Sequence, residues 1–331
     1  MNRRLKIVIR IVAVTAVAAA LWWFVRAMDF AKFGHDLATA KRWPLVVAAS
    51  LSFVCLLGKA VCWRIMLAPR HKIPVLRLFR YTIAAFAASA IAPARAGEVL
   101  RVWTLKRRDG VPAADTLAVA VAEKLLDGIS MLIIVAPVPW LLPGLPSWVA
   151  SGIALGAVIA IALFVGLVIA VGRVDPVGQD NETKFRGLVR RFLGGMHVLR
   201  SPKRVLGALG VLLLVWIADL GEVTAVLYAV DIHLPIAAGL LILFGLNLTI
   251  MIPSTPAQVG ALEAGALGAL TLLHVSDEPA LAFALLYHLL QVIPLIAAGL
   301  LLEMRLVLGR DGDPAATAAP TDDPAGAPNT P

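Results

Sequence analysis

Of 331 residues, 60% are hydrophobic and only 15% are charged, and the mean hydropathy of +0.86 excludes an ordinary soluble domain. The formal net charge of +9 lies in basic residues that flank apolar runs, which excludes a nucleic-acid-binding patch and points to loops facing anionic headgroups. Cys55 and Cys62, seven apart in one apolar run, read as packing residues rather than a disulfide or a metal pair.

Residues 7–25 form the first apolar run, preceded by Arg3, Arg4, Lys6 and Arg10. The run is too long for a cleaved leader and is followed by others, so it reads as an uncleaved first span with a cytoplasmic N-terminus. Residues 44–67 return across the membrane into a strongly basic loop with Arg70, His71, Lys72, Arg77 and Arg80.

The next apolar piece, residues 81–92, is too short to cross. Twelve helical residues rise about 18 Å against roughly 30 Å of hydrocarbon. It ends in a polar break, Pro93-Ala94-Arg95-Ala96-Gly97-Glu98-Val99-Leu100-Arg101, and then Lys106, Arg107 and Arg108. Both flanks are basic, so this segment is expected to enter from the cytoplasm and return to it. Non-helical backbone at membrane depth is tolerated only where it is buried in protein or lines a cavity, so the break is a candidate substrate site.

Residues 116–142 cross outward with Thr116, Ala120, Glu123, Asp127 and Ser130 along one helical face and Lys124 beside it. Each ionisable group inside a span costs about 2.5–3.5 kcal/mol on insertion, so this stripe must face protein, water or substrate. Residues 137–148 form an outer turn, and residues 146–171 cross back. The stretch 173–204 carries apolar positions on one face and arginines on the other, and resembles an interfacial amphipathic helix. Residues 205–230 cross outward with Asp219 and Glu222. Residues 235–252 enter the membrane, long enough either to cross it fully or to turn back, and end in a second polar break, residues 253–263, containing Pro256, Gly260 and Glu263. Residues 281–302 form the last span, with Tyr287, His288 and Gln291. Arg305 and Arg310 place the C-terminus in the cytoplasm, and residues 311–331 are expected to be disordered.

The two breaks correspond. Pro93 and Gly97 are four apart, as are Pro256 and Gly260; Glu98 and Glu263 follow; and Glu123 and His288 each lie 25 residues further on. The basic residues place the first break on a segment entering from inside and the second on one entering from outside. The expectation is an all-α polytopic membrane protein of about eight segments, two broken or re-entrant, arranged as an inverted-topology repeat. Its halves are residues 1–142 and 146–303. Thr255, Pro256 and Gln258 read as a capped helix start, and Pro93 marks a second one. Two helix N-termini opening at mid-membrane favour an anion such as phosphate.

The stretch from Pro93 to Glu98, with Glu123-Lys124-Leu125-Leu126-Asp127, residues 253–263 and residues 287–294, resembles signatures of the lysylphosphatidylglycerol synthase transmembrane, or flippase-like, family. The likeness spans about residues 5–305. Lys124 stands where the family usually has Arg, and His288 where an Arg is often found. The resemblance implies a multi-pass protein of the bacterial inner membrane that moves a lipid between leaflets and lacks the aminoacyl-transferring domain of the bifunctional synthases. Expected substrate-binding residues are Pro93, Arg95, Gly97, Glu98, Arg101, Glu123, Lys124, Asp127, Pro256, Gly260, Glu263, His288 and Gln291. Arg95 and Lys124 would contact the lipid phosphate; Glu98, Asp127 and Glu263 would gate, carry protons or bind a cationic headgroup. No hydrolase, ATP-binding or metal motif is found, and no cofactor is expected. Expected partners are membrane lipids with anionic headgroups, and a second copy of the chain or a lipid-synthesis protein; nucleic acid is not among them. Two alternatives stay open: a lipid-modifying enzyme using Glu123, Asp127 and His288 as acid–base groups, and a scaffold subunit.

Overall fold

The structure is a computed structural model that describes residues 40–68, 70–91, 96–173, 192–250 and 256–307. Span 7–25, the tail from 311, Pro93, Arg95 and Thr255 therefore lie outside the described residues. The chain forms α1 (Arg42–Leu67), α2 (Val75–Ile91), α3 (Ala96–Asp109), α4 (Ala113–Val135), the short α5 (Val138–Leu141), α6 (Ser147–Gly172), α7 (Pro202–Ala229), α8 (Ile236–Ile250), α9 (Ala261–Leu272) and α10 (Asp277–Val307). Among the described residues there is no strand. By length and composition α1, α6, α7 and α10 can each cross a membrane, and a multi-pass membrane protein follows.

The element order repeats: a long helix, two shorter ones, a long helix (α1 to α4, then α7 to α10). The axis of the bundle is the antiparallel pair of α1 and α7. Lys41 N–H donates to the Ala229 carbonyl at 3.1 Å, and its ammonium meets Asp231 at 2.8 Å. Further along, the Cys55 thiol donates to the Val215 carbonyl at 3.5 Å. Glycines allow this approach: a Cβ on Gly58 would fall 2.4 Å from Val215 Cγ2, and one on Gly221 would fall 3.0 Å from Leu51. The hydrogen bond from Lys41 holds the Asp231 carboxyl below its usual range. That tie is present at neutral pH and is lost as acid protonates Asp231.

The shorter helices pair closely. Gly97 of α3 lies so near α2 that its N–H donates to Ser89 Oγ at 3.1 Å. At the other end of this pair Arg77 meets Asp109 at 2.7 Å. In the second pair Gly245 and Gly265 face each other, and a Cβ on Gly265 would lie 2.5 Å from the Gly245 carbonyl oxygen. The described part of helix α8 has 15 residues, which rise about 22 Å.

Arg64, Arg70, Lys72, Arg77, Arg80, Arg107 and Arg108 gather at one end of the bundle. There Arg80 and Arg108 meet Glu303, where α10 is interrupted, at 2.7 and 3.3 Å. His71 and Arg70 hold Asp115 at the start of α4. The stretch expected as an interfacial helix is described only from residue 192. There Met196, Val198 and Leu199 are buried in the protein, and Arg200 donates to the Val171 carbonyl. That part packs on the bundle rather than lying free at an interface. Helix α6 carries the opposite character: most of its surface is apolar and exposed, as a lipid-facing span requires.

Two apolar cores result. One, at the basic end, gathers Trp63, Met66, Leu78, Leu105, Val119 and Leu212. The other gathers Val223, Leu243, Ala266, Leu270 and Phe283.

Candidate functional site

Between these cores lies a polar layer supplied by five helices. Lys59 of α1 reaches Asp127 Oδ2 at 2.6 Å and Glu123 Oε1 at 3.5 Å, and the three side chains are 14%, 15% and 5% exposed. The spacing of four places both carboxylates on one face of α4. The Trp216 indole of α7 donates to the Asp127 carbonyl at 3.2 Å and fixes that turn. Arg101 of α3 lays its guanidinium over the Trp63 ring, 4.4 Å from the centroid. Its acidic neighbours are Glu123 and Glu98. On the far side Gln291 of α10 donates to Glu222 Oε1 at 3.0 Å and to the Tyr287 hydroxyl at 3.2 Å. Tyr287 in turn donates to Asp219 Oδ1 at 3.4 Å. Four carboxylates thus share the layer with two cations.

The second break is a different construction. Residues Pro256–Gln258 form a 3-10 turn in which Ala257 and Gln258 adopt left-handed backbone, φ 52° and 64°. Such angles are strained for residues with a Cβ, at about 1–3 kcal/mol each. Two side chains hold them. His288 donates from Nε2 to the Ala257 carbonyl at 2.9 Å, and its Nδ1 is hydrogen-bonded to Glu263 Oε1. Glu263 Oε2 accepts from the Gly260 N–H at 2.7 Å. Gly260, at φ 86°, is the N-cap of α9. This turn packs against α2, so the second break meets the first helix pair.

Several expected roles change. The helix after the second break starts at Ala261, with Gly260 as its N-cap, and not at Pro256, and Gln258 does not cap it. The Glu263 carboxylate already occupies the anion position at that N-terminus, so a phosphate is not needed there. His288 is 2% exposed and serves the break. Lys124 is exposed, and the ammonium bound to Glu123 and Asp127 belongs to Lys59. Gly97 is buried as a packing residue, while Glu98 is exposed in the first turn of α3. Arg101, Glu123, Asp127 and Gln291 do meet in the layer. Lys59, Asp219, Glu222 and Tyr287 belong with them but were not among the expected site residues. A lysine inside a long apolar helix was the available signal for the first of these.

The profile of the lysylphosphatidylglycerol synthase TM region matches residues 7–299. The chain belongs to this family. No curated protein and no solved structure matches it. As a family member it is a membrane protein tied to lipid or cell-envelope modification, and the match takes in every residue of the polar layer.

The cap on α9 has a direct test. Glu263→Ala removes the acceptor for Gly260 and the partner of His288, and lowers stability by about 1–3 kcal/mol in a detergent melt. Glu263→Gln keeps an acceptor for Gly260 and costs less. Equal losses in the two variants would show that capping is not the role of Glu263.

Proposed function

We propose that this family member moves a lipid between the leaflets of the bacterial inner membrane. The headgroup passes along the mid-bundle polar layer. The observation that carries this reading is the layer itself, with six ionisable side chains from four helices enclosed between two apolar cores. A bundle whose only task is to sit in hydrocarbon has no need to place ionisable groups there at about 2.5–3.5 kcal/mol apiece.

In this reading α2–α3 and α8–α9 are re-entrant pairs. The first enters from the Arg-rich, cytoplasmic end and the second from the opposite end, where Lys41 meets Asp231. Residues 1–142 and 146–303 are then inverted repeats, both termini are cytoplasmic, and the layer lies where the repeats meet. The lipid phosphate is met first at the cytoplasmic end, in a cavity lined by Arg77, Arg80, Tyr81, Arg108 and Glu303. The carboxylates of the layer then receive the cationic part of a zwitterionic or amino-acylated headgroup. The protein acts as a transporter and not as an enzyme.

Reconstitution into liposomes with leaflet-reporting fluorescent lipids tests this. The protein should exchange labelled lipid faster than empty liposomes do. Asp127→Asn should slow exchange about tenfold, the loss of one charge-assisted contact. Exchange no faster than in empty liposomes would defeat the reading, and a product of altered headgroup mass would replace it with an enzyme.

A further inference from the structure

Asp219 and Glu222 stand one turn apart on α7 and face α1 and α10. Their carboxylate oxygens and the Cys55 sulfur lie within 4.8 Å of one another. Glu222 is 0% exposed, and its Oε2 has no hydrogen-bond partner among the described residues. An acceptor oxygen in that position, deep in the bundle and beside a second carboxylate, lacks a proton or a cation.

The neighbours are accounted for helix by helix. From α1 come Ser52, Cys55 and Lys59. The Ser52 hydroxyl is a neutral donor beside Glu222 and also lies 3.2 Å from the Ala48 carbonyl, to which it donates. The Cys55 thiol donates its hydrogen to the Val215 carbonyl, so its sulfur is not a thiolate and the cluster lacks the soft ligand a transition metal would require. Lys59 is the cation nearest the pair among the described residues, and it is engaged by Asp127 and Glu123 of α4. From α10 come Tyr287 and Gln291, both neutral donors, directed at Asp219 Oδ1 and Glu222 Oε1. Helix α8 carries no titratable side chain. The pair therefore has three neutral donors around it, Ser52, Tyr287 and Gln291, a lysine engaged elsewhere, the like charge of Asp127 on α4, and one acceptor, Glu222 Oε2, without a hydrogen-bond partner among the described residues.

We propose that Asp219 and Glu222 hold one exchangeable proton between them, and that this proton is the ion coupled to lipid movement. The second clause rests on the transport reading above; the first stands without it. Two adjacent carboxylates in a low-dielectric site do not both stay ionised, and a shared proton supplies the donor that Glu222 Oε2 lacks. The step is a simple one. A proton from the aqueous phase adds to one carboxylate, the charge of the pair goes from −2 to −1, and release on the other side restores it. The link to conformation is Lys59. With the pair protonated, its ammonium stays on Asp127 and Glu123. With the pair deprotonated, α7 presents a second dianionic seat for the same ammonium, and α4 loses its tie to α1.

The experiment has two arms on the full chain. In lipid nanodiscs, infrared difference spectra across a pH titration should contain a carboxylic-acid carbonyl band that is absent from Asp219→Asn and from Glu222→Gln. Tyr287→Phe, which keeps both carboxylates, should move the titration without removing the band. In liposomes carrying an imposed pH gradient, lipid exchange by the unsubstituted protein should change about tenfold with the sign of the gradient, and Glu222→Gln should lose that response. No such band, or a band that survives both substitutions, overturns the proton site. Exchange that ignores the gradient while the band is present overturns the coupling. A band with no lipid exchange leaves the proton site standing and removes the transport reading instead.

Discussion

Lys59→Met lowers the unfolding free energy by about 3–5 kcal/mol, because it leaves Glu123 and Asp127 buried without their cation. Methionine fills much the same volume, so the loss is electrostatic and not a cavity. The pairing at 2.6 and 3.5 Å makes the effect depend on both carboxylates. Adding Glu123→Gln and Asp127→Asn to Lys59→Met should therefore recover part of the stability, since the two carboxylates that Lys59 neutralised are then uncharged, while Arg101 keeps only Glu98 as its acidic neighbour. Lys124→Met is the control. Its side chain is exposed, and its substitution should cost less than about 1 kcal/mol. Thermal melts of the four proteins in one detergent measure the set. A Lys124→Met variant as damaged as Lys59→Met would show that the wrong lysine has been paired. The triple variant should melt above Lys59→Met and still fail to move lipid.

The second large effect is expected at the helix pairs. A Cβ on Gly97 would fall 1.7 Å from the Ala85 carbonyl oxygen and 2.5 Å from its carbonyl carbon. These are backbone atoms, so no rotamer change relieves the clash, and α2 and α3 must part. Gly97→Ala should then exceed the usual overpacking cost of about 1–3 kcal/mol and yield little monodisperse protein on size exclusion. Gly265→Ala should behave similarly, with the Gly245 carbonyl oxygen and Thr249 Oγ1 both 2.5 Å from the new atom. Gly128 and Gly268 sit in helices with nothing within 4 Å of a Cβ. There alanine should be neutral or stabilising by up to about 1 kcal/mol, the difference in helix propensity. A Gly97→Ala protein that behaves like Gly128→Ala would mean the first helix pair is not packed as described.

Much of this protein was legible along the chain. Hydropathy identified α1, α6, α7 and α10, because a span must hide its backbone over some twenty residues and therefore shows as an uninterrupted apolar run. Helical period alone put Glu123 and Asp127 on one face, and the polar stretch 253–263 marked the break before α9. These are properties of neighbours in sequence. The pairing of Lys59 with α4 was not legible. Lys124 is the lysine adjacent in sequence to Glu123, and Lys59 lies more than sixty residues away. The choice between them depends on which face of α1 meets α4. That is set by how closely Gly58 and Gly221 let α1 and α7 approach, across more than a hundred residues of chain. The second break went the same way. Pro256 carries the local signature of a helix start, yet the helix begins at Ala261, with Gly260 as its N-cap, because Glu263 caps it and His288, a full helix later, holds the left-handed turn before it. Local sequence determined which segments are helical and which faces are polar. Tertiary structure decided which charges meet, because a buried charge in an apolar surrounding is stable only beside a partner, and that partner is fixed by packing between helices far apart in the chain.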